Sequence, residues 1–131
     1  MAEIARALHE AGINHRDFYL CHFMVNIASI ASWHEQGSDP EIYIVDLHRA
    51  QIRTQVPLRW LVKDLSGLYF SSLDIGFTRN DYFRFMRVYW RLSLKEIKKR
   101  NKTLLIVIAK RAAKTYKRDF GTAPNLPITL I

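Results

Sequence analysis

From Val56 onward the apolar residues recur at helical spacing, and two capping sequences punctuate the repeat, so the second part of the chain reads as packed helices. Trp60, Leu61, Asp64, Leu65, Leu68 and Tyr69 mark one helix, opened by Pro57 in its first turn. Thr78-Arg79-Asn80-Asp81 has the form of a capping box and precedes Tyr82, Phe85, Met86 and Tyr89, which recur at i, i+3, i+4 and i+7. Ser93-Leu94-Lys95-Glu96 repeats the device. A final helix, roughly Lys102 to Arg118, places Leu105, Ile108, Ala109, Ala112 and Tyr116 on one face and Lys110, Lys114, Lys117 and Arg118 on others. Gly121, Pro124 and Pro127 end it.

The first part is patterned differently. Ala2 to Ala11 is a short helix with Gly12 as its stop. The polar segment Ile13-Asn14-His15-Arg16-Asp17 follows, and then the apolar run Phe18 to Val25, read as a buried loop leading into a strand. Gln36 to Pro40 is dense in turn residues, and behind it Ile42-Tyr43-Ile44-Val45 is a β-branched and aromatic strand bounded by Asp46. Two strands are expected, joined by a long loop from Ala28 to Pro40. The fold class is α+β, mostly α, with a small β-hairpin and a helical remainder. With 131 residues, 49% of them hydrophobic, the chain is read as one domain over 1–131, divided into a loop-and-hairpin part (1–55) and a basic helical part (56–131).

Charge is distributed unevenly along this domain. Residues 1–50 hold three basic and seven acidic side chains, whereas 51–131 hold seventeen basic and five acidic ones, within an overall net charge of +8. The second part therefore calls for an anionic partner. Nucleic acid is not favoured, because the aromatic residues sit at helix-core spacing and form no stacking platform. The single cysteine, Cys21, makes no intramolecular disulfide and suits a reducing cytoplasm. The N-terminal segment carries Glu3, Arg6, His9 and Glu10, the wrong composition for the apolar core of an export signal. The stretch Phe18 to His34 is too short and too polar for a bilayer span.

Chemistry concentrates at His15-Arg16-Asp17 and, across the two expected strands, Val45-Asp46-Leu47-His48. Phosphoryl transfer needs such a pair of carboxylates: one orients the acceptor hydroxyl and takes its proton, and the other holds Mg²⁺ against the ATP phosphates. Asp17 suits the first role and Asp46 the second. The same residues, with His15, His22 and His48, also admit a metal-dependent hydrolase.

Gly12-Ile13-Asn14-His15-Arg16-Asp17-Phe18-Tyr19, Val45-Asp46-Leu47-His48-Arg49 and Arg59-Trp60-Leu61-Val62-Lys63-Asp64-Leu65 resemble the signature stretches of the lipopolysaccharide core heptose(I) kinases, over about Ala5 to Arg91. The resemblance implies the C-terminal lobe of a protein-kinase-like fold, with the metal-binding aspartate carried on the hairpin. It implies phosphate transfer from ATP, with Mg²⁺, to a heptose hydroxyl of the inner core, at the cytoplasmic side of the inner membrane of a Gram-negative bacterium. Asp17 becomes the catalytic aspartate, supported by His15, Arg16 and His22, and Asp46 the metal-binding one. Arg49, Arg53, Arg59 and Lys63 are expected to contact an acidic glycolipid acceptor.

The sequence departs from the protein-kinase pattern at several points. His22 stands where a metal-binding Asn is expected, and imidazole is a poor Mg²⁺ ligand. It is read either as orienting a phosphate, a water or Asp17, or as a buried histidine. Asp46-Leu47-His48 replaces Asp-Phe-Gly. There is little room for a phosphorylated activation loop, so Arg16 is expected to serve backbone carbonyls or Asp46. The five glycines, at 12, 37, 67, 76 and 121, make no glycine-rich phosphate loop, and no strand lysine precedes His15. The N-lobe is therefore expected to lie outside this sequence, leaving the chain weak or inactive alone. Arg91 to Arg118 carries eleven basic residues and one acid, a composition suited either to core packing or to an anionic membrane surface. A basic membrane-surface module is thus a further alternative.

Overall fold

Thr78 and Ser93 each accept a hydrogen bond from the backbone N–H three residues on, while Asp81 and Glu96 reach back to the cap N–H, so both capping boxes form as read. They open α4 (Arg79–Trp90) and α5 (Leu94–Phe120) in the computed structural model, which describes residues 1–127. Before them lie α1 (Ala2–Glu10), β1 (Ile13–Asn14), β2 (Phe23–Val25), α2 (Ile27–Gln36), β3 (Ile42–Ile44), β4 (Gln51–Ile52) and α3 (Leu58–Ser72). Short 3-10 turns at Leu20–His22 and Leu47–Arg49 lead into β2 and β4. The molecule is α+β and mostly helical, as its patterning requires.

Three local expectations are corrected. The segment read as a loop from Ala28 to Pro40 is largely α2, capped by the Asn26 side chain on Ala28 N–H (3.1 Å) and stopped by Gly37 at φ 69°. None of its residues is buried, so it lacks the apolar stripe that periodicity detects. The final helix starts at Leu94 rather than Lys102, because no residue between them interrupts the helix opened at Ser93. Pro57 stands at the N-cap of α3 rather than inside its first turn.

Among the described residues the expected pair of antiparallel strands forms, and a second pair stands beside it. β2 pairs with β3, Phe23 opposite Ile44 and Val25 opposite Ile42, and β1 pairs with β4, Ile13 opposite Ile52. The second pair has two residues per strand, too few for alternation to show in the sequence. Gly12 fixes it: its φ is +77°, and a Cβ there would overlap the Arg53 carbonyl, whose own N–H bonds to Gly12 O at 2.9 Å.

The core gathers under α3. Ala5, Phe18, Val62, Leu65, Leu68, Tyr89 and Ile108 form one buried cluster, and Met86, Ile97 and Leu105 a second between α4 and α5. α5 packs along α3, and α1 packs on α4. Ile97, Leu105, Ile108, Ala109 and Ala112 are buried, so the apolar face of the basic helix is spent on the core. Among the described residues no helix is long and apolar enough to cross a membrane. A cavity of about 380 Å³ lies between α3, α4 and α5, lined by Leu68, Tyr69, Phe85, Met86, Leu105 and Ile108, away from the aspartates singled out above.

Candidate active site

α1 and Gly12 deliver the chain into β1, and β1 ends at the His15-Arg16-Asp17 turn. Arg16 adopts φ 76°, a left-handed conformation that costs a non-glycine residue on the order of 1–3 kcal/mol. Asp64, on α3, holds it there. This side chain is completely buried and accepts from His15 N–H at 2.7 Å and Arg16 N–H at 2.9 Å. His9 Nε2 lies 3.3 Å from the same carboxylate, and Tyr89 O–H lies 2.6 Å from His9 Nδ1. Burial, reinforced by Asp64, raises the Tyr89 hydroxyl pKa well above its usual value, so the phenol keeps its proton; the carboxylate can only accept, so the ring nitrogen facing it is Nε2–H and Nδ1 is left to accept from the phenol. A directed chain thus runs from Tyr89 through His9 and Asp64 to the turn before Asp17. One turn further along the same face of α3, Gly67 lets the helix approach Phe18, whose carbonyl oxygen would stand 3.0 Å from a Cβ at that position.

His15 is buried, and its Nε2–H donates to Val45 O at 2.9 Å, tying the turn to the segment that carries Asp46. Asp46 itself sits at φ 63°, half exposed. His22 joins the two aspartates: Nδ1–H donates to Asp17 O at 2.7 Å, and Nε2 faces Asp46 Oδ2 at 3.3 Å. The His22 ring also stacks on His15, centroids 5.5 Å apart. His22 is therefore an orienting residue for both carboxylate-bearing segments. His48 Nδ1 makes a short contact with Asp46 Oδ1.

The four residues expected to meet substrate divide. Arg49 pairs with Asp17, Nη1 to Oδ1 at 3.0 Å. The other three surround Trp60: Arg53 at 5.8 Å from the ring centroid, Arg59 at 5.3 Å and Lys63 at 5.3 Å. Arg16 joins them at 5.1 Å, and this replaces the expectation that its side chain serves backbone carbonyls or Asp46.

The donor set fits Mg²⁺ in one particular way. Mg²⁺ takes one or two carboxylates and completes its shell with water and phosphate oxygens. A half-exposed Asp46 oriented by His22 suits that habit. Among the described residues there is no group of three or more His, Cys, Asp or Glu side chains able to hold a metal by themselves. His15 Nε2–H is directed at Val45 O, and its buried Nδ1 has no hydrogen-bond partner in the protein.

Asp64, His9, Tyr89 and Trp60 were not singled out by sequence. Asp64 carried a legible signal: a carboxylate on the stripe of Leu61, Leu65 and Leu68 must be satisfied or expelled. His9, near Ala5 and Leu8, carried a weaker one.

The profile of the lipopolysaccharide kinase (Kdo/WaaP) family matches residues 1–89. The chain is 47% identical over 118 residues to a lipopolysaccharide core heptose(I) kinase WaaP of Escherichia coli, covering 90% of this chain and 43% of that protein. It is 44% identical over 118 residues to the WaaP of Pseudomonas aeruginosa strain PAO1, covering 90% and 42%. A solved structure, WaaP in complex with acyl carrier protein, superposes with a TM-score of 0.71 at 43% identity, covering 88% of this chain and 47% of that one. The chain spans less than half the length of the curated relatives it matches.

Proposed function

The chain belongs to the lipopolysaccharide kinase (Kdo/WaaP) family, and on that premise we propose that it forms the catalytic-loop portion of an enzyme that transfers phosphate from ATP to a heptose hydroxyl of the lipopolysaccharide inner core. The observation that carries this reading is the Asp17–His22–Asp46 arrangement, in which one imidazole orients the segments bearing both carboxylates.

In this reading Asp17 receives the acceptor hydroxyl. As the hydroxyl oxygen bonds to the γ-phosphorus, the bond from phosphorus to the bridging oxygen breaks, ADP departs, and the hydroxyl proton passes to Asp17. Asp64 fixes the turn so that Asp17 does not wander, and Arg49 holds the Asp17 carboxylate in one rotamer. His15 and His22 keep the Asp46 segment in register with that turn. Asp46 would hold Mg²⁺, which when bound neutralises charge on the ATP phosphates.

Arg49 pairs with Asp17 and Lys63 feels its charge, and these two, with Arg53 and Arg59 around Trp60, are assigned to contact an acidic acceptor. We place the enzyme at the cytoplasmic face of the inner membrane, where that glycolipid is assembled, with the basic exposed positions of α5 toward anionic headgroups. Adenine and most triphosphate contacts are assigned to an N-lobe outside these residues, so the isolated chain is expected to turn over poorly. The solved relative in complex with acyl carrier protein makes such a carrier a proposed partner, tested by co-elution with this chain.

The decisive measurement is phosphate transfer from ATP to dephosphorylated core lipopolysaccharide by the complete protein that contains this segment. Asp17→Asn and Asp46→Asn should each lower kcat on the order of 10²- to 10⁴-fold. Retained activity in both variants would overturn the assignment.

A further inference from the structure

Four cations converge on one indole. The Arg16, Arg53 and Arg59 guanidiniums and the Lys63 ammonium all lie within 5.1–5.8 Å of the Trp60 ring centroid. A protein surface normally intersperses carboxylates among its cations. Asp17 and Asp64 act on Lys63 through their charge, but neither forms an ion pair with a member of this cluster. Among the described residues, none of the four makes an ion pair with a carboxylate. The polar partners of Arg53 are the neutral side chains of Asn14 and Gln51. Arg16 Nε and Trp60 Nε1 are buried with no hydrogen-bond partner in the protein. The nearby Asp64 carboxylate is already engaged by backbone donors of the catalytic turn.

We propose that this cluster is a binding site for an oxyanion carried on a sugar, a carboxylate or a phosphate, with Trp60 as its floor and Arg16, Arg53, Arg59 and Lys63 as its donors. Guanidinium forks suit both groups, because each presents two coplanar oxygens to two parallel N–H bonds. Trp60 holds the forks apart and keeps them half-desolvated, which strengthens each contact. A sugar ring is favoured over a lipid surface because Arg16, Arg53, Trp60 and Lys63 are all partly buried rather than spread over an exposed face. The inference rests on the phosphotransfer reading in one respect: Arg49 and Lys63 place the cluster beside Asp17, so an anion held here leaves the neighbouring hydroxyls of its sugar at the base.

The site is tested by titrating the ¹⁵N-labelled chain and following the Trp60 indole N–H, distinguished from those of Trp33 and Trp90 by Trp60→Phe. The probes are glucuronate, glucose 6-phosphate, glucose, potassium chloride and phosphatidylglycerol vesicles, at matched ionic strength. A saturable shift with glucuronate or glucose 6-phosphate, absent with glucose and chloride, is the expected result, and the stronger of the two acids identifies the group. Arg59→Gln and Lys63→Gln should each weaken that binding about tenfold while leaving the remaining amide spectrum in place. Equal shifts from chloride, or a response to vesicles alone, would overturn the proposal, as would unchanged affinity in both variants. Asp46→Asn separates the two readings. Lost phosphate transfer in the complete protein with the Trp60 response retained leaves both standing. A retained Trp60 response with transfer undiminished in both aspartate variants removes only the kinase assignment, and an absent response with transfer abolished removes only this site.

Discussion

Trp60 and Asp64 lie one turn apart on α3, and the charges around them are treated in opposite ways. Asp64 is a buried anion that receives two backbone N–H groups and faces a histidine oriented by a tyrosine, so its charge is matched within the fold. Trp60 gathers four cations, none of which is ion-paired with a carboxylate among the described residues. A buried charge survives only when its donors are complete, and then it is structural. A half-buried set of charges left incomplete does little for the fold and much for a ligand. The same helix therefore carries an anchor for the turn that bears Asp17 and, four residues earlier, the floor of the proposed binding site.

The comparison breaks most visibly at Asp64. Asp64→Ala strands the His15 and Arg16 N–H groups and the His9 Nε2–H, and releases the φ 76° conformation of Arg16. The expected loss is on the order of 3–5 kcal/mol of unfolding free energy, read from urea denaturation. A loss below about 1 kcal/mol would mean that Asp64 is not the anchor. Asp64→Asn keeps one acceptor oxygen and should fall between the two.

The next effect comes from the far end of the chain of hydrogen bonds. Tyr89→Phe removes the donor to His9 Nδ1 and leaves that nitrogen buried and unsatisfied, at a cost of roughly 1–3 kcal/mol. It should also speed hydrogen exchange at the His15 and Arg16 amides beyond what the overall loss of stability explains. Exchange that tracks global stability alone would show that Tyr89 packs against His9 without orienting it.

The two regions were unequally legible. The helices α3, α4 and α5 announce themselves through apolar spacing and capping boxes, because burial against a core and satisfaction of terminal N–H groups are local demands. Asp17 and Asp46 were singled out because the proposed phosphoryl transfer needs two carboxylates, and His22 because it stands where that pattern expects Asn. α2 was hidden because it buries nothing, although Asn26 and Gly37 marked its ends. The pairing of β1 with β4 was hidden because it joins residues 39 positions apart through two-residue strands. The Trp60 cluster assembles Arg16 from the catalytic turn, Arg53 from the segment after β4 and two residues of α3, and no local pattern encodes that convergence. Its sequence trace is a surplus of arginine without compensating acids, which sets the sign of the partner and not its location.

Removing charge from the Trp60 cluster should leave stability nearly untouched, in contrast to Asp64. Arg59 is exposed and rests on the indole without an ion pair, so Arg59→Gln should change the unfolding free energy by less than about 0.5 kcal/mol in either direction. A loss as large as that of Tyr89→Phe would reassign the arginine to the fold.

The smallest effect concerns Lys63 and discriminates through its sign. Burial lowers its pKa from the ordinary lysine value, the Asp17 carboxylate opposes the shift, and Arg16 and Arg49 add to it. Below the lowered native value the ammonium is charged in both states, and the folded protein bears the full cost of holding it desolvated, with Arg16 and Arg49 adding to that cost. Between that value and the ordinary one near 10.5, the native state has released its proton while the unfolded chain still binds it, so stability rises with pH. Lys63→Met lacks the group, and the stability of the wild-type chain relative to this variant should therefore climb as pH rises through the alkaline range. Urea midpoints of the two proteins at several alkaline pH values measure the difference. Saturating sugar oxyanion should suppress the climb, because a bound anion favours the charged ammonium and raises its pKa again. A difference that falls with pH would mean that Lys63 is stabilised as a cation by the fold itself, and Trp60 would then belong with Asp64 as a structural centre.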